Sequence, residues 1–373
     1  MALLREVVEL VHGWYPPATA EEWDAVGLVA GDPAAEVGRV LLAVDPVLPV
    51  ADEAADWGAD LLVVHHPLFL RPVHGVAATT PKGRTLARLS GAGCALLTAH
   101  TNADVATGGV SEALAARLGL SAVTPLLPAP ATPLDKVVVF VPVPDAERVR
   151  EAMVTAGAGR LGDYDHCTFS SLGEGRFRPL PGATPAIGQV GAVEVVEEVR
   201  IESVLPRGRR SAVVRAMLAA HPYEEPAWDL LELADAGTST TGTGRVGDLP
   251  AATTLHDLAA ALAQALPATA HGVRVGGDPD RPVRRVAVCA GAGDFLLDQL
   301  ADSDADVFVT SDLRHHPASE FLEKDGPALV DVAHWAAEWT WLPVVEARLV
   351  AALGATVETR VSTLVTDPWR FRL

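Results

Sequence analysis

The segment Leu61-Leu62-Val63-Val64-His65-His66-Pro67 constrains this chain more than any other stretch. Four apolar, β-favouring residues enter from Gly58-Ala59-Asp60 and stop on two imidazoles and a proline, which predicts a strand buried on both faces of an α/β sheet. The histidines then lie at its carboxyl end, the side on which open α/β sheets bind ligands. Neighbouring strand residues point to opposite faces, so the pair converges only if the strand has already ended, or if each imidazole serves a different ion. The plainer account is one core histidine beside one exposed histidine.

The pattern on either side extends the α/β reading. Helical periodicity over residues 3–12, a strand at Val40–Val44, a helix around 49–57 and the histidine strand alternate as a parallel sheet requires. A helix over Lys82–Ser90 leads to a second buried strand, Cys94–Ala99, which ends in His100-Thr101-Asn102-Ala103-Asp104. Asp104 is therefore a carboxylate just past a strand end, although a helix cap or Asx-turn would also account for it.

Pro125–Pro133 is rich in Pro and Ala and reads as a linker, after which the pattern changes. A strand at Lys136–Val141, a helix over 146–156, a glycine-rich passage through Gly173-Glu174-Gly175 and Pro179–Gly182, one or two strands in Val190–Ser203, a helix over 209–220 and a strand at Trp228–Leu233 follow. That order suggests a ferredoxin-like α+β module. A second linker, Ala234–Pro250, returns the chain to α/β alternation through strands at Val283–Ala290, Asp306–Thr310 and Ala328–Val332. The expected organisation is a two-half α/β domain, residues 1–130 and 246–373, interrupted by an inserted module at 131–245.

Charge and composition narrow the function. The 373 residues are 49% hydrophobic with a net charge of −19, and the basic residues, nearly all arginine, form no stripe suited to a phosphate backbone. Nucleic acid is therefore not the expected partner. Three separated cysteines without a C-x-x-C pair fit a reducing compartment, and no apolar run is long enough for a membrane span, so a cytoplasmic protein is expected.

The last strand runs into Ala333-His334-Trp335-Ala336-Ala337-Glu338, where His334 and Glu338 are four apart on one helical face. A surface pair would have the same spacing. With His65, His66 and Asp104 they make three imidazoles and two carboxylates at strand ends, a mixed N/O set that suits Zn, Mn, Fe or Co and exceeds what one open catalytic ion needs. Two ions sharing a carboxylate would use all five and activate water for attack. Asp312 and His316, beyond another strand end, are candidates for supporting the ligands or contacting substrate. Gly291-Ala292-Gly293-Asp294 could hold an anion on its amides or be a plain tight turn, and His221-Pro222-Tyr223-Glu224-Glu225 reads as a turn before it reads as a metal site. No motif for a dinucleotide cofactor, a P-loop or a serine hydrolase is present.

Trp23-Asp24-Ala25-Val26-Gly27-Leu28, His65-His66-Pro67, His100–Asp104, Thr310-Ser311-Asp312 and His334–Glu338 together resemble the GTP cyclohydrolase 1 type 2 family, the Nif-three-like dinuclear-metal proteins, over essentially the whole chain. The middle segment, with His166–Phe169, Gly173–Gly175 and His221–Glu225, resembles the PII/CutA-like insert of longer members. The resemblance implies two divalent ions per chain on His65, His66, Asp104, His334 and Glu338, with Glu338 bridging. It also implies a toroidal homohexamer and a nucleotide substrate, GTP, whose guanine imidazole ring is opened by metal-activated water. Ala25 and Ala333 depart from the family's usual Asn and Gly, neither at a ligand position.

Overall fold

The structure is a computed structural model and describes residues 1–130, 133–162, 164–234, 239–301 and 303–373. Contacts divide the chain into two units, Met1–Ala129 with Ser239–Leu373, and Pro130–Thr238.

The first unit holds two mixed sheets. One has the order Glu358–Val361, Arg39–Ala43, Leu61–Val64, Ala95–Thr98 and Gly27–Ala30, parallel except for its last pairing. The other runs Val273–Gly276, Ala328–Val332, Val307–Ser311, Pro282–Ala292, Gly242–Thr254 and Ser121–Pro128, parallel at its centre and antiparallel towards both edges. Each half of the chain thus lends an edge strand to the other's sheet. Glu358–Val361 joins the N-terminal sheet, and Ser121–Pro128 joins the C-terminal one.

Leu61–Val64 shows why an unbroken apolar run is needed at a sheet's centre. Leu61 and Val63 face one core, which also takes Val288, Val309 and Val330 of the other sheet. Leu62 and Val64 face a second core against Val50, Ala54 and Leu89 of the helices Leu48–Trp57 and Pro81–Gly91. All four are fully buried, worth roughly 1.5–3 kcal/mol each. Those helices stop where the sequence allows: Gly58 takes a left-handed φ of 72° as cap of the first, and Thr80 accepts from Gly83 N at the start of the second.

Three expectations are corrected. Pro125–Pro128, read as linker, belongs to the strand Ser121–Pro128, because a sheet edge leaves the missing proline N–H unneeded. Gly242–Pro250, also read as linker, lies in the strand Gly242–Thr254, paired on both sides; residues 235–238 of that linker fall outside the described residues. Gly173-Glu174-Gly175 lies in the strand Thr168–Phe177. In all three, cross-strand pairing with distant residues overrides weak local propensity.

The second unit is a four-stranded antiparallel sheet, ordered Trp228–Glu232, Leu134–Pro142, Glu194–Pro206 and Thr168–Phe177, with the helices Ala146–Thr155 and Arg210–Ala220 packed on one face through Val149, Met153, Val213 and Met217. Among the described residues, no helix is long and apolar enough to cross a membrane.

Leu62→Ala is expected to cost about 2–5 kcal/mol. The measurement is the urea midpoint at unchanged m-value; a loss under about 1 kcal/mol would contradict the two-faced burial.

Candidate metal centre

The strands of the first unit deliver their chemistry from their carboxyl ends. Leu61–Val64 ends at His65-His66, Ala95–Thr98 is followed two residues later by His100, and Ala328–Val332 is followed two residues later by His334. Since the strand stops at Val64, the adjacent imidazoles are free to converge, with ring centroids 5.0 Å apart. His65 is fully buried, its ring packed against Trp341 at 5.5 Å, and His66 is about a quarter exposed.

Each imidazole is anchored through Nδ1. His65 Nδ1 meets the Ala99 carbonyl at 3.0 Å, and His66, His100 and His334 meet the carboxylates of Asp45, Asp24 and Asp312, each at 2.7 Å. A carbonyl or carboxylate only accepts, so Nδ1 carries the proton in all four rings and the Nε2 lone pair is left for a cation. The anchors are themselves held. Thr366 Oγ1 donates to Asp45 Oδ2 and Thr101 Oγ1 to Asp24 Oδ2. Asp312 sits at φ 57°, a left-handed conformation that Asp tolerates through its short polar side chain.

The Nε2 atoms surround Glu338, which is 3% exposed. Its Oε1 is 2.7 Å from His334 Nε2 and 3.4 Å from His65 Nε2, and its Oε2 is 3.0 Å from His66 Nε2. Asp104, carried by the short helix Thr101–Val105, brings Oδ1 to 3.7 Å from His65 Nε2. Despite this crowding, His65 Nε2, Asp104 Oδ1 and Glu338 Oε2 are buried without any hydrogen-bond partner. Close approach without hydrogen-bond alignment, at three buried polar atoms facing one another, is the arrangement of ligands around a cation. The donor set therefore fits divalent metal.

Among the described residues, two groups place all their ligand atoms within 4.8 Å of one another: His65, His66 and His100; and His66, His334 and Glu338. His66 is common to both. Asp104 stands beside the first group through His65 but is not part of it. His100 was missed by the sequence reasoning, although the signal was present: it follows a buried parallel strand as His65 does. His316 is exposed at the start of the helix His315–Leu322, its ring against His315 rather than the centre. His221 lies in the other unit.

Gly291 also belongs here. At φ 78°, a Cβ would stand 2.7 Å from Glu338 Oε1 and 3.5 Å from His334 Nε2. The glycine of Gly291–Asp294 thus makes room for a carboxylate, the second function of glycine at a close approach.

Electrostatics match the geometry. Burial opposes charge on His66 and His334, but Glu338, with Asp45 for the first and Asp312 for the second, outweighs it and raises them to about 10 and about 11. Burial alone would raise Glu338; the surrounding imidazoles hold it far below the usual carboxylate range. Burial pushes the Asp104 carboxyl up. The centre thus demands positive charge, which protons or a cation can supply.

Two outcomes follow. Because Glu338, Asp45 and Asp312 favour a second proton on the His66 and His334 rings, a cation competes with protons for their Nε2 atoms, so metal binding should release protons and weaken by about tenfold or more per unit of acidification; zinc titrations in buffers of different ionisation enthalpy measure both, and pH-independent affinity would overturn the assignment. Gly291→Ala should displace Glu338 and lower metal content with little change in fold, read by elemental analysis beside circular dichroism.

The sequence matches the family Duf34/NIF3 (NGG1p interacting factor 3) over residues 2–368. A Mycobacterium tuberculosis protein named GTP cyclohydrolase 1 type 2 homolog is 50% identical over 367 residues, covering 98% of this chain and 96% of that protein. A Halalkalibacterium halodurans protein of the same name is 38% identical over 98% of both chains. Among solved structures, a Bacillus cereus protein related to NIF3 superposes with TM-score 0.78 at 39% identity, covering 100% of this chain and 99% of that one. Staphylococcus aureus protein SA1388 gives 0.83 at 28% identity with the same coverage. On the full-length match and on these identities, the chain belongs to the DUF34/NIF3 family.

Proposed function

We propose that this protein is a dinuclear metal-dependent hydrolase of the GTP cyclohydrolase 1 type 2 kind. The observation that carries the reading is the trio of buried, unpartnered ligand atoms on His65, Asp104 and Glu338. His65, His66, Asp104, His334 and Glu338 would hold two divalent ions, Zn, Mn, Fe or Co, with Glu338 between them and His100 a further ligand. When bound, such ions act as Lewis acids that make water nucleophilic near neutral pH and offset anionic charge. The chain's own residues do the rest. The Nδ1 anchors fix each ring, and Trp341 and the sheet core exclude bulk water behind His65.

Two features suit GTP. Trp23, 58% exposed and edge-on to His100 at 6.0 Å, offers a face for a planar base. A cavity of about 410 Å³ opens beside His66 and Asp45, lined by Lys82 and Arg84 at the start of the helix Pro81–Gly91, and suits a phosphate group. The same cavity favours a second reading, phosphoester hydrolysis. The β-α-β-β-α-β order of Pro130–Thr238 supports a ferredoxin-like, PII/CutA-like insert; the family resemblance supports a homohexamer, and the three separated cysteines suit a reducing cytoplasm.

Elemental analysis should find about two ions per chain, lost in Glu338→Ala. One ion or none, unaffected by that substitution, would sink the metal assignment. Metal-loaded protein should convert GTP to a ring-opened product. Phosphate release from model diesters without ring opening would favour the second reading, and inertness towards both would make the protein a metal-binding or ligand-sensing assembly.

A further inference from the structure

The unit Pro130–Thr238 contains a cavity of about 550 Å³, within the size range of small-molecule sites. It lies between the sheet, at Phe140, Gly175 and Glu198, and two segments, Arg178–Ile187 and Tyr223–Ala227. The walls are pinned. Thr184 N donates to Glu224 Oε2 at 2.8 Å. His221 Nε2 donates to the Phe140 carbonyl at 2.9 Å while its Nδ1 accepts from Tyr223 N at 3.0 Å. Both nitrogens of His221 are thereby used, and burial lowers its pKa, so His221–Glu225 is a locked turn rather than a metal site.

Glu198 is the group that this arrangement leaves unexplained. It is 9% exposed on the strand Glu194–Pro206, and its Oε1 accepts from Tyr223 Oη at 3.0 Å. No donor among the described residues reaches Oε2. Arg176, on the neighbouring strand, is turned to Glu174 at 2.8 Å. A buried carboxylate with one neutral donor is far from satisfied, since it offers about four acceptor positions. The opposite strand is shaped around it: a Cβ on Gly175 would lie 2.2 Å from Glu198 Oε2. The glycine has ordinary strand geometry, so its absent side chain serves the carboxylate and not a turn. Burial and Glu198 push the Tyr223 phenol up, keeping it a donor. Beside the carboxylate, the rings of Phe177 and Tyr223 meet edge to face at 5.4 Å, and Pro179, Leu180 and Ile187 continue the apolar wall.

A largely buried carboxylate with one oxygen free of protein donors, lining an aromatic-walled cavity, is complementary to a flat, apolar ring that ends in N–H donors. We propose that this cavity is a binding site for a planar aromatic cation, an amine or amidine, held by Glu198 and stacked among Phe177, Tyr223 and the prolines. The site belongs to the unit Pro130–Thr238 and the metal centre to the other unit, so the proposal stands whether or not the hydrolase reading holds.

The test titrates benzamidine into the full chain by calorimetry, with benzoate as the control of opposite charge. Benzamidine should bind at one site per chain and benzoate should not. Glu198→Gln should weaken benzamidine by about tenfold or more, the worth of one charge-assisted hydrogen bond, whereas Glu338→Ala should leave it unchanged. Should Glu198→Gln fail to fold, Gly175→Ala, whose methyl displaces Oε2, carries the same expectation. Absence of binding at about 10 mM, equal binding of benzoate, or affinity within about twofold of the parent in both variants of the cavity would overturn the proposal.

Discussion

A carboxylate removed from water has to be given positive charge, and Glu338 imposes that demand on the whole of the first unit. It is 3% exposed, and the imidazole nitrogens of His65, His66 and His334, from two strand ends, lie 2.7–3.4 Å from its two oxygens. Stranding it without compensation would cost several kcal/mol. The Nδ1 anchors, the left-handed Asp312 and the missing side chain at Gly291 are all means of meeting that demand with fixed geometry.

The sheets make the demand affordable. A buried parallel strand has to be apolar along its length, so its polar residues collect where it ends, and adjacent parallel strands end on the same side. Three strand termini therefore converge, and the left-handed Asp312 that anchors His334 stands just past a fourth strand, Val307–Ser311. The exchange of edge strands between the halves, Glu358–Val361 for Ser121–Pro128, holds the N-terminal ligands against the C-terminal ones despite the more than two hundred residues between His66 and His334.

Much of this was legible in the residues. The two-faced burial of Leu61–Val64, the helix that places His334 and Glu338 on one face, and the helices at Leu48–Trp57 and Pro81–Gly91 follow from periodicity and capping, which are local. His100 was not recognised, because a histidine in a polar run after a strand looks like any loop residue until Asp24, seventy-six positions away, turns its ring inward. The strands Ser121–Pro128 and Gly242–Thr254 were hidden for a related reason. Their proline and glycine content argues for loop, and only pairing with each other and with Pro282–Ala292 makes them sheet.

By itself the sequence determined which side chains are available for chemistry and at which strand ends they stand, since strand termination and helical spacing depend on neighbours a few residues apart. The tertiary structure alone decided which of them meet: that His66 is shared by two ligand groups, that Gly291 gives way to Glu338, and that Gly175 gives way to Glu198. Those are contacts between residues distant in the chain, and their energy comes from desolvation and close approach, which no local pattern encodes.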